Sequence, residues 1–285
     1  FRKGTGTIET LTFVTERWFN VTSKPGRRIV ACFLDISKCF DRIDKMLLLW
    51  KLHYQAKFDG NLLLWLSDFV DDRRQRVRVS GTFSDWLEAT SGTPQGAALS
   101  PMLFLVFIAD VVQDLGVEIS MFADDIVLWS ELPNVVDQVT AVNRALEKIT
   151  EWSNDFRVDF SAKKCKFMII SRRSRGDDPV TGAIQFQGVD LERVAHYKLL
   201  GLTIGEHLKF EEHATMLIDF MRKQFGFLKF ITKQLKGPRR AILELVYKQV
   251  TLSKVDYAAT IYNFGIPANL RNDFEKQTLL LVHDQ

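Results

Sequence analysis

The sequence predicts an α+β protein in which a mixed part, with strands and helices, precedes a part made of helices alone. The first observation is a nearly continuous apolar run over residues 28–35, typical of a strand buried on both faces. The second is the stretch 119–129, where β-branched and aromatic residues flank Asp124 and Asp125. This pattern predicts a buried β-hairpin whose turn carries the acids. The third is that strand patterns end near residue 205, which marks a candidate domain boundary.

The other elements follow from apolar spacing and turn signals. Apolar positions three and four residues apart predict helices over residues 7–22, 44–56, 61–70, 99–112 and 134–156. Short strands are predicted over residues 75–80, 83–90, 166–171, 184–187 and 197–204. Gly201 lies inside the last of these, where a glycine often marks close approach of another backbone or a ligand. From residue 211 the pattern is helical, in three segments broken near residues 237–238 and 265–267.

Composition predicts a folded intracellular protein, located in the cytoplasm or nucleus. The chain is 46% hydrophobic and 26% charged, a balance that allows a sizeable core and argues against disorder. Its three cysteines (Cys32, Cys39 and Cys165) are an odd number without metal-type spacing, so we expect reduced thiols and no disulfide partner. No apolar run has membrane-spanning length, which predicts no membrane partner. Because the chain begins at Phe1 without a methionine, we interpret it as a fragment of a longer protein; its oligomeric state is not indicated.

Two acidic positions suggest a metal site. Asp35 ends the predicted buried strand, and Asp124 lies in the hairpin turn. If the two strands are neighbours in one sheet, both carboxylates meet at one edge. Converging carboxylates suit Mg²⁺, and two such ions roughly 4 Å apart would activate an attacking hydroxyl and neutralise a leaving phosphate. Each acid taken alone is also ordinary turn or capping chemistry.

Five segments, in their order and spacing, resemble the palm motifs of reverse transcriptases, above all those of non-LTR (LINE-like) retrotransposons, among which the jockey-like group is a candidate. They are VACFLDISKCFDRI, SGTPQGAALSPMLFLVFIADV, MFADDIVLW, VDFSAKKCKFMII and YKLLGLTI. The resemblance implies a right-hand polymerase, with an antiparallel palm sheet packed on helices, partial fingers and a helical thumb. It assigns residues 1–28 to partial fingers, 29–205 to the palm (with finger/palm connecting elements at about 42–90) and 206–285 to a helical thumb, either complete or truncated.

The resemblance also implies an RNA-directed DNA polymerase that adds deoxynucleotides to a primer 3′-hydroxyl by a two-metal-ion mechanism. Its partners would be an RNA template, a DNA primer and deoxynucleoside triphosphates, and its cofactors two Mg²⁺ ions, with Mn²⁺ as a substitute. Asp35 and Asp124 would be metal ligands, Asp125 a weaker third acid, and the Ile36 carbonyl an additional ligand.

Three further positions would bind the nucleotide. Phe40 follows Asp35 by five residues, and a ring there would exclude a 2′-hydroxyl; the alternative is a core phenylalanine. Gln95 and Gly96 would lie against the nascent base pair and template, since glycine allows close backbone approach. Their alternative is a simple loop before a core helix. Phe40, together with Ala123 where RNA-copying RNA polymerases carry glycine, favours DNA synthesis.

Basic residues supply the remaining candidates. Lys164 would donate a proton to the leaving pyrophosphate, although its neighbours Lys163 and Lys166 leave the register open, as does a solvated basic loop. Leu200 and Gly201 would form the hairpin that holds the primer end, or be a plain turn. Four basic residues of an acid-free stretch would contact template–primer phosphates or be a solubilising surface: Arg222, Lys223, Lys229 and Lys233.

The chain departs from the family pattern at its start, because the upstream finger motif is missing. This puts activity of the isolated chain in doubt. Two alternatives therefore stay open: an inactive or domesticated RNA-binding module, and a relative of the intron maturases.

Overall fold

The computed structural model describes residues 5–37, 40–172, 182–232, 238–267 and 270–273. Its helices are α1 (Thr7–Thr22), α2 (Lys45–Tyr54), α3 (Gly60–Val70), α4 (Ser100–Ile108), α5 (Val135–Phe156), α6 (Glu211–Thr232), α7 (Arg240–Val246), α8 (Ser253–Asp256) and α9 (Ala259–Tyr262). Its strands are β1 (Ile29–Asp35), β2 (Arg74–Gln75), β3 (Arg78–Val79), β4 (Thr82–Phe83), β5 (Leu87–Glu88), β6 (Glu118–Phe122), β7 (Asp125–Ser130), β8 (Lys166–Ile170), β9 (Gln185–Phe186), β10 (Val189–Asp190), β11 (Glu192–Arg193), β12 (His196–Leu199) and β13 (Leu202–Gly205).

The central sheet has five strands in the order β11-β8-β1-β7-β6. Strand β1 pairs antiparallel with both β7 and β8, β6 pairs antiparallel with β7, and β11 joins β8 in parallel. Side chains of a strand alternate between the two faces. Accordingly, Val30, Cys32 and Leu34 enter one hydrophobic core and Ala31 and Phe33 enter the other. The prediction that this strand is buried on both faces is confirmed, as is the α+β class.

Helices cover both faces of the sheet. One core includes apolar residues of α2, α3, α4 and α5, and the other includes apolar residues of α1, α6, α9 and the β12–β13 hairpin. A buried polar network ties the first group together. The ammonium of Lys51, a fully buried side chain on α2, lies 2.5 Å from Asp110 Oδ1 beyond α4, and Trp152 Nε1 on α5 donates to the same oxygen at 2.9 Å. No helix among the described residues is both long and apolar enough to cross a membrane.

Four element predictions are corrected. The strands predicted over residues 75–80 and 83–90 shrink to the exposed two-residue pairs β2–β5 and β3–β4, since this segment has no core to pack on. The helix predicted over 99–112 ends at Ile108. The strand predicted over 197–204 is a hairpin, so Gly201 lies in its turn and not inside a strand.

Strand β13 ends at Gly205, and the described elements after it are helical, including a π-helical stretch at Tyr247–Leu252. Much of the third helical segment falls outside the described residues. The division into fingers, palm and thumb at residues 28 and 205 stays a prediction.

His213 of α6 lies in the contact between this helix and β13. It is 4% exposed, and its Nδ1 accepts a hydrogen bond from the Thr203 backbone N–H at 3.4 Å. Its Nε2 is buried without a hydrogen-bond partner among the described residues. Burial, with smaller contributions from Lys198 and Lys254, lowers the pKa of His213 to about 4. The imidazole is therefore neutral at pH 7.

We expect this histidine to make the fold acid-sensitive. Because its pKa is about 4 when folded and about 6.5 when unfolded, protons bind the unfolded chain more tightly. Stability should be full above pH 6.5 and fall by about 3 kcal/mol as the pH drops to 4. Urea unfolding across this range should show the loss in the wild type and a smaller loss in His213→Gln. His196→Gln, at a half-exposed histidine, is the matched control and should keep the wild-type slope.

Candidate active site

The three predicted acids lie at one end of the central sheet. The register of β1 and β7 places Asp35 directly opposite Asp125, so their side chains share a face. Asp124 lies beside them in the two-residue β6–β7 turn, where Ala123 has φ of 54°. The predicted hairpin, and the neighbouring strands that bring the acids together, are therefore present.

The electrostatics of this end favour a cation. Reduced hydration raises the pKa of Asp125, although its outer side is exposed, and the charges of Asp124 and Asp35 raise it further. Oδ2 of Asp35 is buried and makes no hydrogen bond within the described chain. Its compensation is an ion pair with Lys164, whose Nζ lies 3.4 Å away. Three anionic groups with an oxygen lacking a hydrogen-bond donor match the donor chemistry of a hard divalent ion.

Asp35, Asp124 and Asp125 suit a divalent cation through their negative charge and their oxygen atoms. The described residues contain no ready-made group of three or more histidine, cysteine or carboxylate side chains arranged to hold a metal. Mg²⁺ at phosphate-transfer sites commonly takes one or two carboxylates, and waters and substrate phosphates complete its coordination. The arrangement of Asp35, Asp124 and Asp125 is compatible with that mode of binding.

The segment 159–165 contacts the backbone of Asp35 and Ile36. The Ser161 N–H donates to the Asp35 carbonyl at 2.8 Å, and Ile36 forms a backbone bridge with Phe160. The Asp35 N–H points to Cys165 Sγ at 3.4 Å. These contacts position Lys164 at the acids. The Ile36 side chain is buried, and metal binding by its carbonyl stays a prediction.

The structure distinguishes Lys164 from Lys166, two of the lysines that the sequence left as candidates for the site. Lys166, on β8, pairs with Glu192 at 2.6 Å, whereas Lys164 pairs with Asp35. Lys164 is largely exposed, so it can leave this ion pair at little cost. Its proposed role as a proton donor is not tested by the contact.

The predicted nucleotide residues come from two loops that are bonded together. The Thr93 N–H donates to the Phe40 carbonyl at 2.9 Å, and Gln95 Nε2 donates to Asp41 Oδ1 at 2.7 Å. Gly92 makes this approach possible, since a Cβ there would lie 2.6 Å from the Phe40 carbonyl oxygen. The sequence indicated a role for Gly96 in this loop, whereas the separate requirement for Gly92 follows only from the contact with Phe40.

Phe40 and Gly96 are accessible within this arrangement. The Phe40 ring is half-buried, and its centroid lies 5.1 Å from that of Phe104 on α4. It therefore packs partly on the core and partly faces outward, which leaves both interpretations of Phe40 open. Gly96 has φ of 83°, and a Cβ there would meet nothing within 4 Å, so its backbone is open to a ligand.

The β12–β13 hairpin lies beside the acids. Leu200 and Gly201 form its turn, and Tyr257 Oη donates to the Leu200 carbonyl at 2.5 Å. On β12, the ring of Tyr197 stacks on Phe33 at 3.8 Å between centroids. Burial, and next the charge of Asp125, raises the pKa of Tyr197 to about 12, with smaller effects of Cys165 and Asp35.

Tyr197 is a residue of this site that the sequence analysis missed. An aromatic residue in a strand carries no chemical signature of its own. The period of two placed it on a face, but only the tertiary structure shows that this face lies over β1 near the acids.

The basic residues of α6 are exposed, but the acid-free stretch is not acid-free in space. Arg222 lies 3.4 Å from Asp219 and 4.0 Å from Asp273, so the expectation that no acid compensates this stretch is wrong at Arg222. Lys223 is exposed, and Lys229 Nζ lies 4.3 Å from the Phe225 ring centroid. The predicted contact residue Lys233 lies outside the described residues.

Comparisons with known proteins agree with this geometry. A family model described as reverse transcriptase (RNA-dependent DNA polymerase) matches residues 1–204. The chain is 25% identical over 253 residues to the RNA-directed DNA polymerase from mobile element jockey of Drosophila melanogaster, covering 85% of this chain and 26% of the relative. It is 27% identical over 254 residues to the jockey enzyme of Drosophila funebris, covering 84% and 26%.

A solved structure shares the fold. Apo telomerase from Candida tropicalis aligns with a TM-score of 0.51 at 10% identity, over 95% of this chain and 49% of that chain. The chain spans about a quarter of the length of the jockey relatives, since the matched part is 26% of each.

Proposed function

The chain belongs to the reverse transcriptase (RNA-dependent DNA polymerase) family, and from this we propose that it carries the catalytic centre for RNA-directed DNA synthesis. Deoxynucleotides would be added to the 3′-hydroxyl of a DNA primer on an RNA template. The observation that carries the proposal is the β1–β7 register, which places Asp35 opposite Asp125 with Asp124 in the adjoining turn. We propose fingers, palm and thumb over residues 1–28, 29–205 and 206–285.

Reverse transcriptases use divalent metal ions, and we propose that Asp35, Asp124 and Asp125 hold two Mg²⁺ here, with the Ile36 carbonyl as a further ligand. When bound, the ions would supply activation of the primer hydroxyl and neutralisation of the leaving pyrophosphate. The three carboxylates contribute the fixed negative charge. The raised pKa of Asp125, caused first by burial and then by the charges of Asp124 and Asp35, supports cation binding.

Other side chains of this centre would bind and orient the reactants. Phe40 would exclude a 2′-hydroxyl, and Gln95 and Gly96 would pack against the nascent base pair. Lys164 would donate the Nζ proton to the pyrophosphate oxygen as the phosphoanhydride bond breaks. Its location 3.4 Å from Asp35 supports this role.

Two further parts would hold the nucleic acid. The β12–β13 turn, at Leu200 and Gly201, would hold the primer end. The stacking of Tyr197, on β12, against Phe33, two residues before Asp35, supports this role. The exposed Arg222, Lys223 and Lys229 would contact duplex phosphates. We place the protein inside the cell, in the cytoplasm or nucleus, where the buried thiols Cys32 and Cys165 stay free.

Primer extension tests this proposal. The purified chain, with a labelled DNA primer annealed to RNA, the four deoxynucleoside triphosphates and Mg²⁺ or Mn²⁺, should yield products whose length follows the template. Duplex binding is measured in parallel by fluorescence anisotropy. Tight binding without extension with either ion would overturn the proposal and favour a non-catalytic RNA-binding module.

A further inference from the structure

A basic pocket lies at the end of the central sheet opposite the acids. Its volume is about 280 Å³, and it is lined by residues 22–28, Ser171 and Arg172. The first segment connects α1 to β1, and the second follows β8. Because β1 and β8 are antiparallel, Ile29 pairs with Ile170 next to the pocket, six residues along β1 from Asp35. At about 3.3 Å per residue, this separates the pocket from Asp35 by roughly 20 Å.

The lining is strongly positive. Its described lining residues include the four cations Lys24, Arg27, Arg28 and Arg172, and none of these described residues is an aspartate or glutamate. The C-terminus of α1 is near, and its partial negative charge stabilises cations. That charge is about half an elementary charge and acts within the last turn, so it offsets only part of the positive charge of the exposed Lys24 and Arg172.

Arg27 is a lining residue whose guanidinium is fixed by the protein. Its Nη2 donates to the backbone carbonyl of Glu131, which holds the guanidinium in place. Its Nε is buried and has no hydrogen-bond partner among the described residues. Arg172, another lining residue, is exposed, and its guanidinium carbon lies 5.9 Å from the Phe19 ring centroid.

The chemistry of these groups selects the ligand. Guanidinium groups bind phosphate oxygens through paired, charge-assisted hydrogen bonds. The volume accommodates one or two phosphate groups, and members of this family bind nucleic acid. A strand passing the acids would need roughly six stacked nucleotides, at about 3.4 Å each, to reach the pocket. We propose that this pocket binds backbone phosphates of an RNA strand, as a second contact remote from the centre of synthesis.

Salt-dependent RNA binding tests the proposal without requiring synthesis. The full chain is titrated with a fluorescein-labelled single-stranded RNA between 50 and 200 mM salt. In Lys24→Gln/Arg172→Gln, which changes two exposed side chains, the slope of log affinity against log salt should fall by about 1.4, since each lost contact to a single strand removes about 0.7. The wild type should then lose about sevenfold more affinity than the variant over this range.

A matched variant removes the same charge elsewhere. Lys57→Gln/Arg144→Gln changes two exposed cations that do not line the pocket, and its slope should equal that of the wild type. An unchanged slope in Lys24→Gln/Arg172→Gln would overturn the proposal. So would a slope lowered equally by both double variants, because the effect would then be one of net charge.

Two probes separate RNA from other phosphate sources. Calorimetric titration with inorganic phosphate, and co-sedimentation with vesicles containing phosphatidylserine, are made on the same variants. If the pocket substitutions reduce phosphate or vesicle binding and leave the RNA slope unchanged, the assignment to RNA is wrong. A reduced RNA slope supports it whether or not the chain extends a primer.

Discussion

Replacement of Asp124 by asparagine should abolish extension of an RNA-templated primer. Asparagine keeps the size of the side chain in the β6–β7 turn but removes the negative charge that a divalent ion requires. Losing this charge should cost several kcal/mol of transition-state stabilisation, which corresponds to a rate reduction of about 10³-fold or more. Single-turnover extension with saturating primer–template measures the chemical step directly.

A control variant distinguishes the loss of a charge at the site from the loss of a charge elsewhere on the protein. Asp68→Asn removes a carboxylate from the exposed face of α3 and should extend at the wild-type rate. Duplex affinity of Asp124→Asn should stay within about threefold of the wild type, since the phosphate contacts lie elsewhere. We expect Asp125→Asn to be impaired less than Asp124→Asn. Undiminished primer extension by Asp124→Asn would show that the assignment of the metal site is wrong.

For the acidic site, the sequence predicts the local elements but not how they pair. The apolar run before Asp35 and the hairpin pattern around Asp124 contain local periodicity, so both strands and the turn could be predicted. Their adjacency was a conditional inference, because strand neighbours depend on long-range pairing. The register that sets Asp35 opposite Asp125 was not predicted, since a shift of one residue would exchange the faces without changing either local pattern.

Contacts between distant segments account for most of what the sequence left open. The pairing of Lys164 with Asp35 depends on a loop more than 100 residues downstream, and two flanking lysines looked equivalent until the loop was placed. Arg222 seemed to lie in an acid-free stretch, but Asp273 approaches it from another segment. A run of like charges in a sequence shows only which residues are neighbours along the chain. Electrostatic interactions depend on which residues are neighbours in space.

The incorrect strands over residues 75–90 have a related cause. Their alternating pattern is genuine, but alternation predicts a strand only when one face has something to cover it. Here Val77, Val79 and Trp86 are more than half exposed, and the guanidinium carbon of Arg76 lies 4.4 Å from the Trp86 ring centroid. Local stacking and short ladders thus replace the longer strands that the pattern suggested.

Replacement of Phe40 by valine should relax the choice of sugar. If the outward side of this ring occupies the space of a 2′-hydroxyl, a smaller side chain makes room for a ribonucleotide. Removing a few carbon atoms from such a contact typically changes selectivity by about 10- to 200-fold. The measured quantity is kcat/KM for a deoxynucleotide divided by that for the matching ribonucleotide, and it should fall by a factor in this range.

The other interpretation of Phe40 makes a different prediction, which the same variant tests. Phe40 packs on Phe104, so valine also removes core contacts and should lower stability by about 1–3 kcal/mol. Phe69→Val removes the same atoms from another half-buried ring of this core and should lower stability without changing the sugar ratio. If Phe40→Val behaves like Phe69→Val, with lower stability and an unchanged ratio, Phe40 is a core residue. A lower ratio in Phe40→Val alone identifies the ring as the group that excludes ribonucleotides, because a loss of packing affects both nucleotides equally.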